Sequence, residues 1–339
     1  MSIFEESKDY KPFKYPWAVD EAKKHSIDMF WDVHTVELTA DVVQYQSKNG
    51  LETSSVSHED HKKLLDALLG LFTETDKVVG EGYTKLLPYV KNNEIRNLLL
   101  TFAQREVVHQ RAYALASEAF GIPDSSWSIF RNYTEMTDKL DVINGEIGDL
   151  DQPLNFAKQL VKILLSEGIS LFCAFSALLN LKRYGKLIGF NDVNRYSLFD
   201  EQVHIAGNIK IVKSIMQEDF NEGERAELVR YATVLSSQLC EAEKLSTEVI
   251  YSICDLEGVT KEEFLKYPEY LRELRLSELG FAPLIVENPL EWMDYMTSNG
   301  AHENFFEKRV TAYSHKPLEG KDSVDFSKFT AMLEDKLLV

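Results

Sequence analysis

ILLSEGISLFCAFSALLNL, residues 163–181, is nearly unbroken in apolar and small side chains and carries a single charge, Glu167. A helix that is apolar on every face belongs in a core. A carboxylate placed there loses its water at a cost on the order of several kcal/mol unless a proton, a cationic partner or a metal compensates. The run itself leaves all three open. It is also long enough to span a membrane. Ser166, Gly168, Ser170, Ser176 and Asn180 dilute it, however, and no comparable second run occurs. The reading is therefore a buried helix whose glutamate needs partners from elsewhere in the chain.

Upstream, HEDHKKLLDALLGLFTETDKVVGEGYTKLL (58–87) places apolar residues at three- and four-residue steps, which predicts a long amphipathic helix carrying Asp76 and ended or bent at Pro88. Residues 92–120 repeat the pattern and stop at Gly121-Ile122-Pro123. A polar stretch through Asp151, Gln152 and Pro153 leads into the Glu167 helix, which Lys182-Arg183-Tyr184-Gly185 closes. Residues 191–217 and 222–255 read as further helices, and residues 260–300 as shorter ones joined by Gly280, Pro283 and Pro289. Ahead of all these lies an aromatic arm with Tyr15, Pro16, Trp17, Phe30 and Trp31. From Pro317 the chain turns polar and ends in FSKFTAMLEDKLLV, a short amphipathic patch. No glycine-rich phosphate loop, alternating strand pattern or internal repeat is found. The expected architecture is all-α, with a helical bundle over residues 1–315 and a flexible tail over 316–339.

Composition narrows the function classes. Acidic residues outnumber basic ones 55 to 37, for a net charge of −18, so no phosphate-neutralising surface for nucleic acid is expected. The three cysteines, Cys173, Cys240 and Cys254, form no CxxC pair and read as reduced thiols of a cytoplasmic protein. The opening MSIFEESKDYK is too acidic and polar for a signal peptide, so neither secretion nor membrane attachment is expected.

Two Glu-x-x-His pairs occur inside helical patterns, Glu106 with His109 and Glu201 with His204. Residues three apart share a helix face, so each pair can offer two ligands to one metal. About one such pair is expected by chance at this composition. The stronger signal is the series: four successive long helices supply Asp76, then Glu106 and His109, then Glu167, then Glu201 and His204. Four carboxylates and two imidazoles converging inside a bundle form the ligand set of di-iron and di-manganese carboxylate proteins. Four negative charges also balance two divalent ions, which resolves the buried charge on Glu167. Such a centre suits a ferritin, a hydroxylase, a desaturase or a radical generator. Tyr113 lies one helical turn after His109, close enough for its phenol to be oxidised by the centre, although a core tyrosine bonded to a carboxylate would sit there equally well.

Over about residues 15–315 these features resemble the ferritin-like small subunit of class I ribonucleotide reductase. The motifs that carry the resemblance are Glu106-x-x-His109-x-x-x-Tyr113, the SEGISLF context of Glu167, Asp200-Glu201-x-x-His204, and Asp76 within FTETDKVVGEG. The resemblance implies a dinuclear centre of iron, with manganese or a mixed manganese–iron pair as alternatives, held by Asp76, Glu106, His109, Glu167, Glu201 and His204. It implies a tyrosyl radical on Tyr113, with Trp31 and Asp200 linking the metal-bound histidine to the surface. Tyr313, in NFFEKRVTAY, would hand the oxidant to a large catalytic subunit on which the tail docks, and the chain would form a homodimer. No regulatory nucleotide-binding cone is expected ahead of residue 15, and the extreme C-terminus has a sequence of its own. Two rivals share the bundle: a di-metal oxidase with its own substrate pocket, and an iron-storage or structural bundle. Neither has use for Trp31, Asp200 and Tyr313 as a redox chain.

Overall fold

The computed structural model describes residues 2–7 and 11–298. Eleven helices follow one another, and no β-strand occurs among the described residues. The aromatic arm folds as α1 (Pro16–Lys23), a π turn (Lys24–Asp28), a short 3₁₀ turn (Val33–Thr35) and α2 (Thr39–Gln46). Then come the long elements α3 (His58–Leu86) and α4 (Asn93–Phe120). Their ends follow from local chemistry. The Ser57 hydroxyl accepts from Asp60 N–H at the start of α3, the Asn92 side chain accepts from Ile95 N–H at the start of α4, and Gly121, at φ 73°, closes α4 in the left-handed region that glycine tolerates.

The stretch after Pro123, read from sequence as a polar connection, is ordered. It forms a 3₁₀ segment (Asp124–Asn132) and α5 (Thr134–Asn144), which pack on α3 and on α9 (Glu222–Ile253) by burying Phe130, Ile143 and, unexpectedly, Lys139. The Glu167 helix runs from Pro153 to Arg183 in three parts: α6 (Pro153–Leu165), a π turn (Ser166–Leu171) and α7 (Phe172–Arg183). By length and composition it could cross a membrane, but its apolar window is wholly buried inside the bundle. It is the core helix. α8 (Ile188–Glu218) starts three residues before the expected position, and α10 (Lys261–Leu279) and α11 (Glu291–Ser298) complete the order.

Contacts between α3 and α4, α4 and α8, α6 and α8, and α7 and α8 pack the site-bearing helices against one another. α9 and α10 cover the π turn. The site lies in the middle of that packing rather than in a surface groove. Tyr313 and the expected docking tail, residues 316–339, fall outside the described residues.

Candidate metal centre

The six acidic and imidazole residues singled out above reach the interior from four elements. Asp76 comes from α3, Glu106 and His109 from α4, Glu167 from the π turn, and Glu201 and His204 from α8. All are buried, with at most 1% exposure. Their donor atoms form two groups, Asp76–Glu106–His109–Glu201 and Glu106–Glu167–Glu201–His204, each with all four atoms within 4.8 Å of one another. The groups share Glu106 and Glu201, so the geometry is that of two adjacent cation positions with two carboxylates between them.

The electrostatics require cations or protons. Burial raises Asp76 and Glu167 well above the usual carboxylate range, and their carboxylate neighbours add to the shift. Glu201 is raised too, again chiefly by burial, although His109 opposes the change. Asp76 Oδ2 and Glu167 Oε2 find no hydrogen-bond donor, and the Glu106 carboxylate meets the two imidazoles, His204 Nδ1 at 3.1 Å and His109 Nδ1 at 3.6 Å. Orphaned acceptors gathered at one point are what two divalent ions satisfy, and an oxygen-rich set with two imidazoles suits first-row transition metals.

The two histidines present the same atom to this cluster. His109 Nδ1 lies 3.2 Å from Glu201 Oε1, and His204 Nδ1 lies 3.0–3.2 Å from oxygens of Glu106, Glu167 and Glu201. His109 Nε2 faces away, 2.9 Å from Asp200 Oδ2. An ionised carboxylate only accepts, so Nε2 carries a proton, and a cation that displaced the proton on Nδ1 would meet that nitrogen's lone pair inside the cluster. Burial alone would lower the His109 pKa, but its bonds to Asp200, Glu106 and Glu201 leave it well above the ordinary histidine value. Burial wins at His204 and pushes it down to about 4, which favours the neutral, metal-binding form.

Asp200 is a hub. Trp31 Nε1–H donates to its Oδ2 at 2.8 Å and Arg105 Nε–H to the same oxygen at 3.0 Å, while His25 Nε2 lies 3.1 Å from Oδ1. Burial would raise the Asp200 pKa, but His25, His109 and Arg105 together hold it well below the usual range. The Trp31 ring stacks on His109 at 5.9 Å between centroids, with the Arg105 guanidinium 4.9 Å over its face. Trp31 is 2% exposed, whereas its neighbour Phe30 is 45% exposed, so this chain of contacts ends one residue from solvent.

Tyr113 is fully buried against Phe72 and Phe190, with the Ser197 side chain beside its hydroxyl. Burial, with Asp76 next, raises its pKa well above that of free tyrosine, so it is a neutral phenol. Sequence reading missed a second phenol at the centre. Tyr83 donates to Glu167 Oε1 at 2.9 Å and accepts from Asn208 Nδ2 at 2.7 Å. Its position seven residues after Asp76, two turns along α3, was the available signal. His25 and Arg105 were missed as well; Arg105 adjoins Glu106, but nothing local ties it to Asp200.

The raised carboxylates carry a pH consequence. The metal-free folded chain holds protons on Asp76, Glu167 and Glu201 that the unfolded chain has released, so these groups take stability away as pH rises from their ordinary values, 3.8 for Asp and 4.5 for Glu, toward the raised ones. Cations reverse that penalty by replacing the protons. The gain in melting temperature on adding Mn(II) is therefore expected to grow between about pH 5 and about pH 7.5. A gain that stays flat or shrinks over that range would contradict this electrostatic description.

A family model described as "Ribonucleotide reductase, small chain" matches residues 7–289. A probable ribonucleoside-diphosphate reductase small subunit of Invertebrate iridescent virus 3 is 26% identical over 329 residues, covering 92% of this chain and 85% of the relative. The ribonucleoside-diphosphate reductase subunit beta of Chlamydia pneumoniae is also 26% identical, over 89% of this chain and 88% of its own. Among solved structures, a putative class I ribonucleotide reductase from Bacillus halodurans superposes with a TM-score of 0.74 at 20% identity, covering 83% of this chain and 99% of that one. The dimanganese(II) NrdF of Streptococcus sanguinis superposes at 0.71 and 18% identity, covering 88% and 99%. At these identities the superpositions speak for the fold.

Proposed function

Because the chain belongs to the ribonucleotide reductase small-chain family, we propose that it generates and stores the one-electron oxidant with which a large catalytic subunit reduces ribonucleoside diphosphates to deoxyribonucleotides. The observation that carries this reading is the junction at His109, which faces the carboxylate cluster through Nδ1 and Asp200 through Nε2. A storage or structural bundle needs the first contact and not the second.

Asp76, Glu106, His109, Glu167, Glu201 and His204 would hold a dinuclear centre, with iron the first metal to test and manganese or a manganese–iron pair the alternatives. When bound and oxidised, that centre supplies one-electron oxidation inside a dry interior. Tyr113 would be the stored oxidant, a reading supported by its buried side chain, shielded from solvent reductants, and its neutral phenol. Asp200 fixes the His109 tautomer and holds the Trp31 indole against it, so that charge leaves along His109, Asp200 and Trp31 toward the surface near Phe30. Tyr313 would complete the relay, and residues 316–339 would tether the large subunit and raise the effective concentration of Tyr313 there. The protein is read as a cytoplasmic homodimer with no nucleic-acid or membrane partner.

The test is an electron paramagnetic resonance spectrum of metal-loaded protein after exposure to oxygen. The native chain is expected to give an organic radical, and Tyr113→Phe is expected to lose it while keeping both ions and the fold. Undiminished nucleotide reduction by Tyr113→Phe would move the oxidant to the metal pair itself.

A further inference from the structure

Glu167 lies in the π turn Ser166–Leu171 between α6 and α7. Such a turn holds one residue more than α-helix, so the helix beyond it is rotated by about 100° relative to an uninterrupted one. Two buried cations from other helices are bonded to carbonyls of this turn. Arg275 of α10, 5% exposed, donates Nε–H to the Gly168 carbonyl at 3.2 Å and Nη1–H to Glu278 at 2.6 Å, and its guanidinium lies 4.9 Å over the Phe172 ring. Lys139 of α5, 2% exposed, donates to the Ser170 carbonyl at 3.5 Å and pairs with the buried Glu243 of α9 at 2.7 Å. The close approach of Arg275 needs Gly168. A Cβ there would fall 2.6 Å from Arg275 Nε and 2.7 Å from its Cδ, inside any tolerable contact.

Neither cation belongs to the cluster of ligand donors or to the Asp200 hub. We infer that Arg275, assisted by Lys139, is a positioning residue that holds the Glu167 turn in its π form and thereby builds one of the two cation positions. This rests on the dinuclear reading of the cluster. The asymmetry follows from the two donor groups. Relaxing the turn toward α geometry would draw Glu167 away from Glu106, Glu201 and His204. It would leave Asp76, Glu106, His109 and Glu201 in place, since α3, α4 and α8 carry them.

The experiment compares Arg275→Met with Arg275→Gln in the full-length chain. Glutamine keeps an N–H donor at about the position of Arg275 Nε, and methionine fills similar space without one. Titration with Mn(II) alone, followed by the electron paramagnetic resonance of the free ion, counts the bound ions and their affinities. Arg275→Met is expected to bind one ion as the native chain does and the second roughly 10–100-fold more weakly, the cost typical of losing a residue that orients a ligand. Arg275→Gln should restore the second ion. If Arg275→Met does not fold by circular dichroism, Gly168→Ala, which displaces the guanidinium, should show the same selective loss. Two ions of native affinity in Arg275→Met or in Gly168→Ala would overturn the inference, as would equal losses in the Met and Gln variants, because charge or packing would then be responsible. Fewer than two ions in the native chain would instead sink the dinuclear reading beneath it.

Discussion

Glu201→Ala is expected to lose both metal ions, and Glu167→Ala only one. Glu201 and Glu106 belong to both donor groups, whereas Glu167 belongs to one. Removing Glu201 strips a carboxylate from each cation position and takes the nearest oxygens away from both His109 Nδ1 and His204 Nδ1. Affinity for both ions should fall by more than the roughly 10–100-fold that a lost supporting residue costs. Glu167→Ala leaves Asp76, Glu106, His109 and Glu201 as one complete group, so elemental analysis after desalting should return about one ion per chain, half the native content. The metal-free variants should not be less stable than the native chain, because each removes a buried carboxylate whose ionised form is disfavoured there. What they should lose is the rise in melting temperature on adding metal: all of it in Glu201→Ala and part of it in Glu167→Ala. Two tightly held ions in Glu201→Ala would show that the ligands have been misassigned.

The second large effect is on transfer rather than on the centre. Trp31→Phe is expected to keep both ions and the radical and to bring turnover with the large subunit to background. Trp31 is a better probe of this path than Asp200. Asparagine at 200 would keep one acceptor but leave Arg105 buried beside a neutral group, and an unpaired buried charge costs about 3–5 kcal/mol. Loss of activity there could be loss of fold. Phenylalanine at 31 removes only the N–H that meets Asp200 and a redox-active ring, while the Arg105 and His109 contacts to Asp200 survive. Radical content equal to the native chain, with no deoxyribonucleotide formed, is the expected pair of readings. Normal turnover in Trp31→Phe would remove Trp31 from the path.

The cluster of carboxylates and imidazoles was legible because its signals are local or chemical. A Glu-x-x-His pair shares a helix face whatever surrounds it, and Glu167 stands out in an apolar run that must be buried. The links from Trp31 and Asp200 to the centre came from family resemblance, since 169 residues separate the two and no helical periodicity connects them. His25, Arg105 and Asn208 act through helix crossings at separations of 175, 95 and 125 residues from their partners, which sequence spacing does not encode. The π turn was hidden for another reason. It is a one-residue excess set by packing on both sides of the helix, and the lone Gly168 of SEGISL is a residue that an ordinary helix also tolerates. α5 was passed over because its pattern is mostly polar; it packs through Leu140 and Ile143, with Lys139 buried against Glu243 of α9.

The most direct test of the central claim is reconstitution. The native chain, loaded with metal and exposed to oxygen, is mixed with its cognate large subunit and a ribonucleoside diphosphate, and deoxyribonucleotide is measured alongside bound metal and radical. Product is expected only when two ions are bound, and none from Glu201→Ala treated in the same way. A native chain that binds two ions, forms its oxidant and joins the large subunit yet yields no deoxyribonucleotide would contradict the function proposed for it.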